Sequence, residues 1–291
     1  MHSCTTSRRA GCPTRVADGT TWRAAYDDAA TRLGDRTDAR RLVEHASGFS
    51  LTEAFDHQPT QRTMAHFDAM LERRASGEPL QYVLGSWGFR SLDVHVDRRV
   101  LIPRPETEVV VECALEVIDD LDARTIVDLG TGSGVIALSI AMERTGVTVW
   151  ATDLSVDALD VTRANLAGVG RPGARVRVEH GDWFDALPRD LLGGVDVIVS
   201  NPPYVAESDG LPTEVSEWEP RGALIAGPSG LESIERIVRD APAWLAPSGA
   251  VVLEIGETQA DAARDLAQAR FSIVEVRADL TGRPRVLVAR R

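Results

Sequence analysis

The chain has 291 residues, 43% of them apolar, and carries a formal net charge of −12. That length suits one large domain, or a small one joined to a typical one, with a sizeable core. Such an acidic balance disfavours a nucleic-acid partner unless a local basic groove overrides it, and no run approaches the ~18 apolar residues of a membrane span. All 32 basic residues are arginine, which excludes a Walker lysine, a Schiff-base lysine and pyridoxal chemistry. Cys4, Cys12 and Cys113 form no CxxC pair and the six histidines are scattered, so neither a disulfide framework nor a metal site is expected. The N-terminal stretch holds Arg8, Arg9 and Arg15 without the apolar run of a secretory leader, and cytoplasm is the expected compartment.

Residues 1–20 are polar and unpatterned, and are expected to form a disordered extension. From Trp22 a helical period sets in, with Ala25, Tyr26, Ala29 and Leu33 on the same face. A second helix is expected over Asp38–Ala46 with Gly48 as its stop. A third is marked by Met64, Phe67, Met70 and Leu71 and ends near Gly77. Residues 21–78 thus read as a small helical domain. Residues 79–104 read as a β-hairpin linker, with strand-like runs at Leu80–Leu84 and Phe89–Val96 around Gly85 and Gly88. Leu101-Ile102-Pro103-Arg104-Pro105-Glu106 makes a rigid kink, followed by a helix from Thr107 to Ile118.

Over residues 105–291 strands and helices alternate. Strands are expected at Thr125–Leu129, Val147–Thr152, Arg175–Glu179, Val195–Ser200, Ala250–Ile255, Phe271–Val276 and Arg285–Val288. Helices are expected at Gly134–Glu143, Val156–Leu166, Leu231–Leu245 and Gln259–Gln268. The alternation predicts a seven-stranded, mostly parallel sheet covered on both faces. The short turn at Gly282 fits an antiparallel hairpin at one edge.

Asp128-Leu129-Gly130-Thr131-Gly132-Ser133-Gly134 runs from the first of these strands into a helix. Its glycines let the backbone approach a ligand, and the following helix offers free N–H groups to an anion. Asp153, nineteen residues after Gly134, closes the second strand, where a carboxylate can accept both ribose hydroxyls. A lone glycine-rich loop could serve several nucleotides or none. The spacing here is GxGxG, not the dinucleotide GxGxxG, and no phosphate-binding lysine exists. A ligand with an adenosine ribose and an amino-acid end suits it better: S-adenosylmethionine. Asp128 either bonds near the methionine ammonium or caps the turn. After the third strand, Asp182 can accept from an adenine amino group while Trp183 or Phe184 covers the ring; the alternative is that these aromatics only cap the sheet edge. Glu254, ending the fifth strand, reads as structural.

Ser200-Asn201-Pro202-Pro203-Tyr204 follows the fourth strand. Two prolines end ladder pairing there and hold the chain extended. An amide oxygen on Asn201, a free carbonyl and the aromatic face of Tyr204 make a clamp for a planar NH2 group. Asn-Pro is also an ordinary turn opener.

Asp128–Gly134, Asp153 and Asn201–Tyr204 together resemble the class I, S-adenosylmethionine-dependent amino-methyltransferases, whose fold is the Rossmann-like sheet expected above. Gly77-Glu78-Pro79-Leu80, Leu101–Glu108, Glu219-Pro220-Arg221 and Gly230-Leu231 narrow the resemblance to the protein-(glutamine-N5) methyltransferases acting on peptide chain release factors, over residues 21–291. The resemblance implies that Gly130, Thr131, Gly132, Ser133 and Gly134 line the methionine end of the cofactor, with Asp153 on its ribose and Trp183 bordering its adenine. It further implies that Asn201 and the Pro202 carbonyl hold a glutamine amide, with Pro203 and Tyr204 completing its pocket. The substrate it implies is the Gly-Gly-Gln glutamine of a class 1 release factor. A monomer with no direct nucleic-acid partner is expected. A ribosomal-protein glutamine methyltransferase is the nearest alternative, and a nucleic-acid adenine methyltransferase the next. Residues 1–20 and Pro284 in the final turn depart from the family pattern.

Overall fold

The computed structural model describes residues 20–291, so the extension expected over residues 1–20 lies, but for its last residue, outside the described residues, as do Cys4 and Cys12. The chain divides into two compact units after Leu84.

In the first unit, α1 (Trp22–Leu33), α2 (Arg36–Ser47), α3 (Leu51–Ala54), α4 (Gln61–Ala75) and α5 (Leu80–Leu84) bury the apolar faces read from the sequence. Trp22 meets Phe67 edge-on at 5.9 Å between ring centroids, within a core that includes Tyr26, Leu42, Val43 and Leu71. Asp35 caps α2, accepting from Thr37 N and Asp38 N. The strand expected at Leu80–Leu84 is instead the helix α5. Pro79 precedes it and its carbonyl accepts from Val83 N at 3.0 Å. One helical turn then puts Leu80 and Val83 together in the core. A five-residue segment with one polar residue, Gln81, carries no period that separates the two forms.

The second unit opens with a hairpin, β1 (Ser86–Phe89) and β2 (Leu92–His95), paired antiparallel from Ser86↔His95 to Phe89↔Leu92. Its turn is therefore Arg90-Ser91, not the expected glycine pair. Arg90 adopts a φ of 51°, a conformation that short hairpin turns require. Tertiary bonds hold it there: Arg90 N donates to Glu108 Oε1 at 3.0 Å, and its guanidinium forks onto Glu143 at 2.7 and 2.8 Å. No turn propensity of an Arg-Ser pair announces this.

After α6 (Thr107–Leu121), β3 (Thr125–Leu129) begins the main sheet. It is followed by α7 (Val135–Glu143), β4 (Thr148–Asp153), α8 (Val156–Gly168), β5 (Val176–His180) and β6 (Val195–Ser200). A two-stranded parallel pair comes next, β7 (Val205–Ala206) and β8 (Ile225–Gly227), with α9 (Thr213–Trp218) between them. The chain closes with α10 (Glu232–Trp244), β9 (Leu245–Glu254), α11 (Ala260–Gln268), β10 (Ile273–Ala278) and β11 (Pro284–Arg290). The sheet order is β10-β11-β9-β6-β3-β4-β5. Strands β9, β6, β3, β4 and β5 are parallel, whereas β11 runs antiparallel to both its neighbours. The expected edge hairpin is thus β10–β11.

Both faces are buried, which is why the strands read as continuous apolar runs. Val127, Leu129, Ile198, Val251 and Leu253 join Ile234 and Ile237 of α10 in one cluster. The alternate residues Ile126, Val197, Val199 and Val252 are equally inaccessible. The chain steps from β3 to β4 and β5 on one side, then returns to β6 on the other. This leaves a crevice at the carboxyl ends of these strands, the ligand position of open α/β sheets.

Asn165 on α8 links β2 to the loop after β3. Its Oδ1 accepts from His95 N at 2.7 Å, and its Nδ2 donates to His95 O at 3.0 Å and Ser133 O at 2.8 Å. Asn165→Ala breaks all three bonds and is expected to lower the unfolding free energy by about 2–3 kcal/mol, read by urea denaturation.

Candidate active site

Four loops leave the sheet at one rim, and hydrogen bonds join their roots. Thr131 N donates to Thr152 O at 2.8 Å, Gly181 N to Asp153 O at 3.1 Å, and Ser200 Oγ to Leu129 O at 2.6 Å. The crevice they surround has a volume of about 400 Å³, within the range of small-ligand sites. Gly130, Thr131, Gly132, Ser133, Asp153, Asp182, Trp183, Asn201 and Pro203 line it. The sequence reading named each of these.

Gly134 starts α7 at a φ of +87°, and a Cβ there would stand 3.0 Å from Thr162 Cγ2. Asp128 lies beneath this loop, wholly inaccessible. Its Oδ2 accepts from Thr131 Oγ1 at 2.6 Å and from Ala137 N at 3.1 Å, so it caps the first turn of α7. Its Oδ1 is buried with no hydrogen-bond partner. Burial pushes its pKa up to about 7 against the pull of the Thr131 and Ala137 hydrogen bonds.

Asp153 accepts from Gly132 N on Oδ2 at 2.9 Å and from Ser155 N on Oδ1 at 2.8 Å. Each oxygen keeps acceptor capacity for a hydroxyl, as a ribose diol requires. Burial raises its pKa above the ordinary value, with the backbone N–H groups of Ser155 and Gly132 opposing. The cavity volume and the paired oxygens of Asp153 fit a nucleoside-sized ligand with a ribose diol.

The expected adenine-side residues divide: Asp182 lines the crevice with one oxygen held from outside it, and Phe184 turns away. Asp182 Oδ2 accepts from Arg236 Nη1 at 2.7 Å. Phe184 is buried away from the crevice, its ring stacked on Trp244 at 5.9 Å between centroids. Trp183, held at a φ of 51°, lines the cavity instead. Successive side chains of the short 3-10 turn Trp183–Ala186 point about 120° apart, which separates the two aromatics.

The segment after β6 is braced from behind. Asn201 Nδ2 donates to Thr107 Oγ1 at 3.1 Å, and Thr107 Oγ1 donates to Glu254 Oε2 at 2.7 Å. Tyr204 Oη donates to Glu254 Oε1 at 3.2 Å. No described residue donates to Asn201 Oδ1 or to the Pro202 carbonyl. The Tyr204 carbonyl accepts from Gln259 Nε2 at 2.9 Å, and a Cβ on Gly230 would lie 2.8 Å from that carbonyl. Asp128, Gly134, Pro202, Phe184 and Tyr204 therefore stand behind the cavity lining or beside it.

Several contributors carried no role in the sequence reading. Thr107 and Pro103 line the crevice from one side, and Pro220, Gly222 and Ala223 also border it. Glu219 ties the two segments, accepting from Ile102 N at 3.0 Å and Arg104 Nη2 at 2.5 Å. The Leu101–Glu108 and Glu219–Arg221 motifs were the available signal. Their 117-residue separation hid their meeting.

Residues 107–216 match the "Methyltransferase small domain" family and residues 25–85 the "PrmC N-terminal domain" family. The chain is 45% identical over 254 residues to the release factor glutamine methyltransferase of Burkholderia pseudomallei, covering 84% of this chain and 88% of the relative. It is 42% identical to that of Xylella fastidiosa, covering 90% and 95%, and 39% identical to that of Moorella thermoacetica, covering 93% and 99%. Among solved structures, the hMettl16 catalytic domain superposes with a TM-score of 0.53 at 16% identity, covering 78% of this chain and 81% of that one. That likeness shows the fold.

Glu254 is almost wholly buried, and burial raises its pKa from 4.5 to about 7, opposed by the bonds from Thr107 and Tyr204 and by the charge of Arg285. The folded state keeps this proton where the unfolded chain has lost it, so the group destabilises the fold as pH climbs between those values. Glu254→Gln removes the titration. The unfolding free energy of the variant relative to wild type is expected to rise by about 1 kcal/mol per unit between about pH 5 and 7, read by urea denaturation across pH.

Proposed function

Because the chain belongs to the release factor glutamine methyltransferases, we propose that it methylates the side-chain amide nitrogen of the Gly-Gly-Gln glutamine in a class 1 peptide chain release factor. Its cofactor is S-adenosylmethionine, which when bound supplies an electrophilic sulfonium methyl group. Asp153 holds the ribose, Gly130–Gly134 the methionine end, and Trp183 borders the adenine. The enzyme acts as a monomer in the cytoplasm.

The observation that carries this reading is the state of two acceptors. Asn201 Oδ1 and the Pro202 carbonyl take no hydrogen bond from the described residues, while the other end of the Asn201 amide is committed to Thr107. A primary amide brings two N–H donors to such a pair. Each oxygen accepts one, which fixes the plane of the amide and the direction of the nitrogen lone pair. An amide nitrogen is a poor nucleophile because its lone pair is delocalised into the carbonyl. No histidine or cysteine lines the crevice, so positioning is the main contribution, of order 7–11 kcal/mol for a well-held near-attack geometry. Two acceptors on the nitrogen also stabilise the positive charge that grows there during attack.

The clamp further selects glutamine over glutamate. An ionised carboxylate has acceptors only, and burying it against two carbonyl oxygens costs several kcal/mol by the order of unsatisfied buried charges.

Mass spectrometry of a class 1 release factor incubated with the protein and cofactor is expected to find one added methyl group on the Gly-Gly-Gln glutamine. An unmodified glutamine, or a mark elsewhere, overturns the proposal. Asn201→Ala is expected to lower kcat by about a hundredfold or more with cofactor affinity nearly unchanged, since it removes an interaction made to the reacting amide. Asp153→Ala is expected to show the opposite pattern, with cofactor affinity down by about tenfold or more in a calorimetric titration.

A further inference from the structure

We propose that Thr107 and Glu254 are positioning residues that set the polarity of the Asn201 side chain, and through it the discrimination of glutamine from glutamate. The inference rests on the reading of Asn201 as the substrate clamp and assigns what makes that clamp one-directional.

An asparagine amide has two nearly isosteric ends, an oxygen that accepts and an NH2 that donates, and little in its own shape decides which faces a ligand. Here the decision comes from a count of hydrogens behind it. Thr107 Oγ1 sits 2.7 Å from Glu254 Oε2 and 3.1 Å from Asn201 Nδ2. A threonine hydroxyl owns one proton. Donated to Glu254, it leaves Oγ1 only as an acceptor toward Asn201. The asparagine must therefore turn its NH2 to Thr107 and its oxygen away.

Glu254 keeps that direction from reversing. Its two oxygens receive one O–H each, from Thr107 and from Tyr204 at 3.2 Å, and an ionised carboxylate has nothing to donate back. With Glu254 ionised, both bonds run toward the carboxylate. A proton on Oε1 turns the Tyr204 bond around and leaves the Thr107 bond as it is, whereas a proton on Oε2 would reverse the Thr107 bond. The relay is therefore strongest above the pH at which Glu254 ionises. Thr107 and Glu254 come from α6 and the end of β9, 147 residues apart. Thr107 is 2% exposed and Glu254 1%, so solvent does not offer the alternative partners that would let the amide rotate. Thr107 borders the crevice, and it acts on the bound amide through Asn201.

If Thr107 loses its hydroxyl, the Asn201 amide is released from this rule and can present NH2 groups to the pocket. These oppose the N–H groups of glutamine but suit the carboxylate of glutamate. Weaker catalysis and weaker exclusion of glutamate then arise together, a coupling that a merely structural role does not produce.

The test uses the full-length chain with a release factor as substrate and the same factor carrying glutamate in place of the target glutamine as inhibitor. Thr107→Val, which keeps the shape and removes the hydroxyl, is expected to lower kcat about tenfold or more. Cofactor affinity is expected to stay within about twofold, and the glutamate factor to inhibit about tenfold better than it inhibits wild type. Thr107→Ser is expected to restore most of both properties. Glu254→Leu, which removes both acceptors and frees the Thr107 proton, is expected to shift selectivity in the same direction as Thr107→Val. Wild-type turnover and selectivity in Thr107→Val, with Asn201→Ala inactive, would overturn the relay and leave the clamp standing. Full activity in Asn201→Ala would remove clamp and relay alike.

Discussion

The carboxyl ends of four parallel strands are held level by a few hydrogen bonds between successive loop roots, and the crevice follows from that alignment. Thr131 N reaches from the loop after β3 to the end of β4, and Gly181 N reaches from the loop after β5 back to Asp153. Ser200 Oγ on β6 closes the set on Leu129 of β3. Each bond satisfies a backbone group that the ladder leaves open where a strand stops. Together they bring a glycine loop, a carboxylate, an indole and an amide to one rim without any of these being near another in sequence.

The same rim concentrates an electrostatic burden. Asp128 and Glu254 are buried and Asp153 is partly so, and burial raises the pKa of each. No arginine forks onto any of the three; they are held by hydroxyls and backbone N–H groups instead. Neutral donors leave these carboxylates without a paired cation of the protein's own, and Asp153, the one of the three that lines the crevice, faces a cofactor that brings its own positive charge. The arginine ion pairs stand in the supporting structure: Arg104 on Glu219 and Arg236 on Asp182 brace the loops that border the cavity.

Much of the second unit was legible beforehand because its strands are buried on both faces. Thr125–Leu129 and Val195–Ser200 were readable to the residue, since an apolar β-branched run bounded by charge and turn residues has few other folds. Leu80–Leu84 reads as a strand from sequence because five residues, four of them apolar, fit either period; burial against α4 decides for helix. The hairpin turn went unread for a different reason. Arg90 holds a left-handed conformation through partners at Glu108 and Glu143, which no local window contains.

From the residues alone came the alternation that sets the sheet, the loop Gly130–Gly134, the acidic end of β4 and the Asn-Pro-Pro-Tyr exit from β6. Their chemistry is local, a matter of backbone freedom, ring constraint and donor type at short spacing. Which way each side chain turns was settled only by the folded chain. Trp183 faces the crevice and Phe184 the core, Asp128 caps a helix from below, and Thr107 with Glu254 orients Asn201 from 94 and 53 positions away. Orientation depends on which donors and acceptors remain once distant segments meet, and that count exists only in three dimensions.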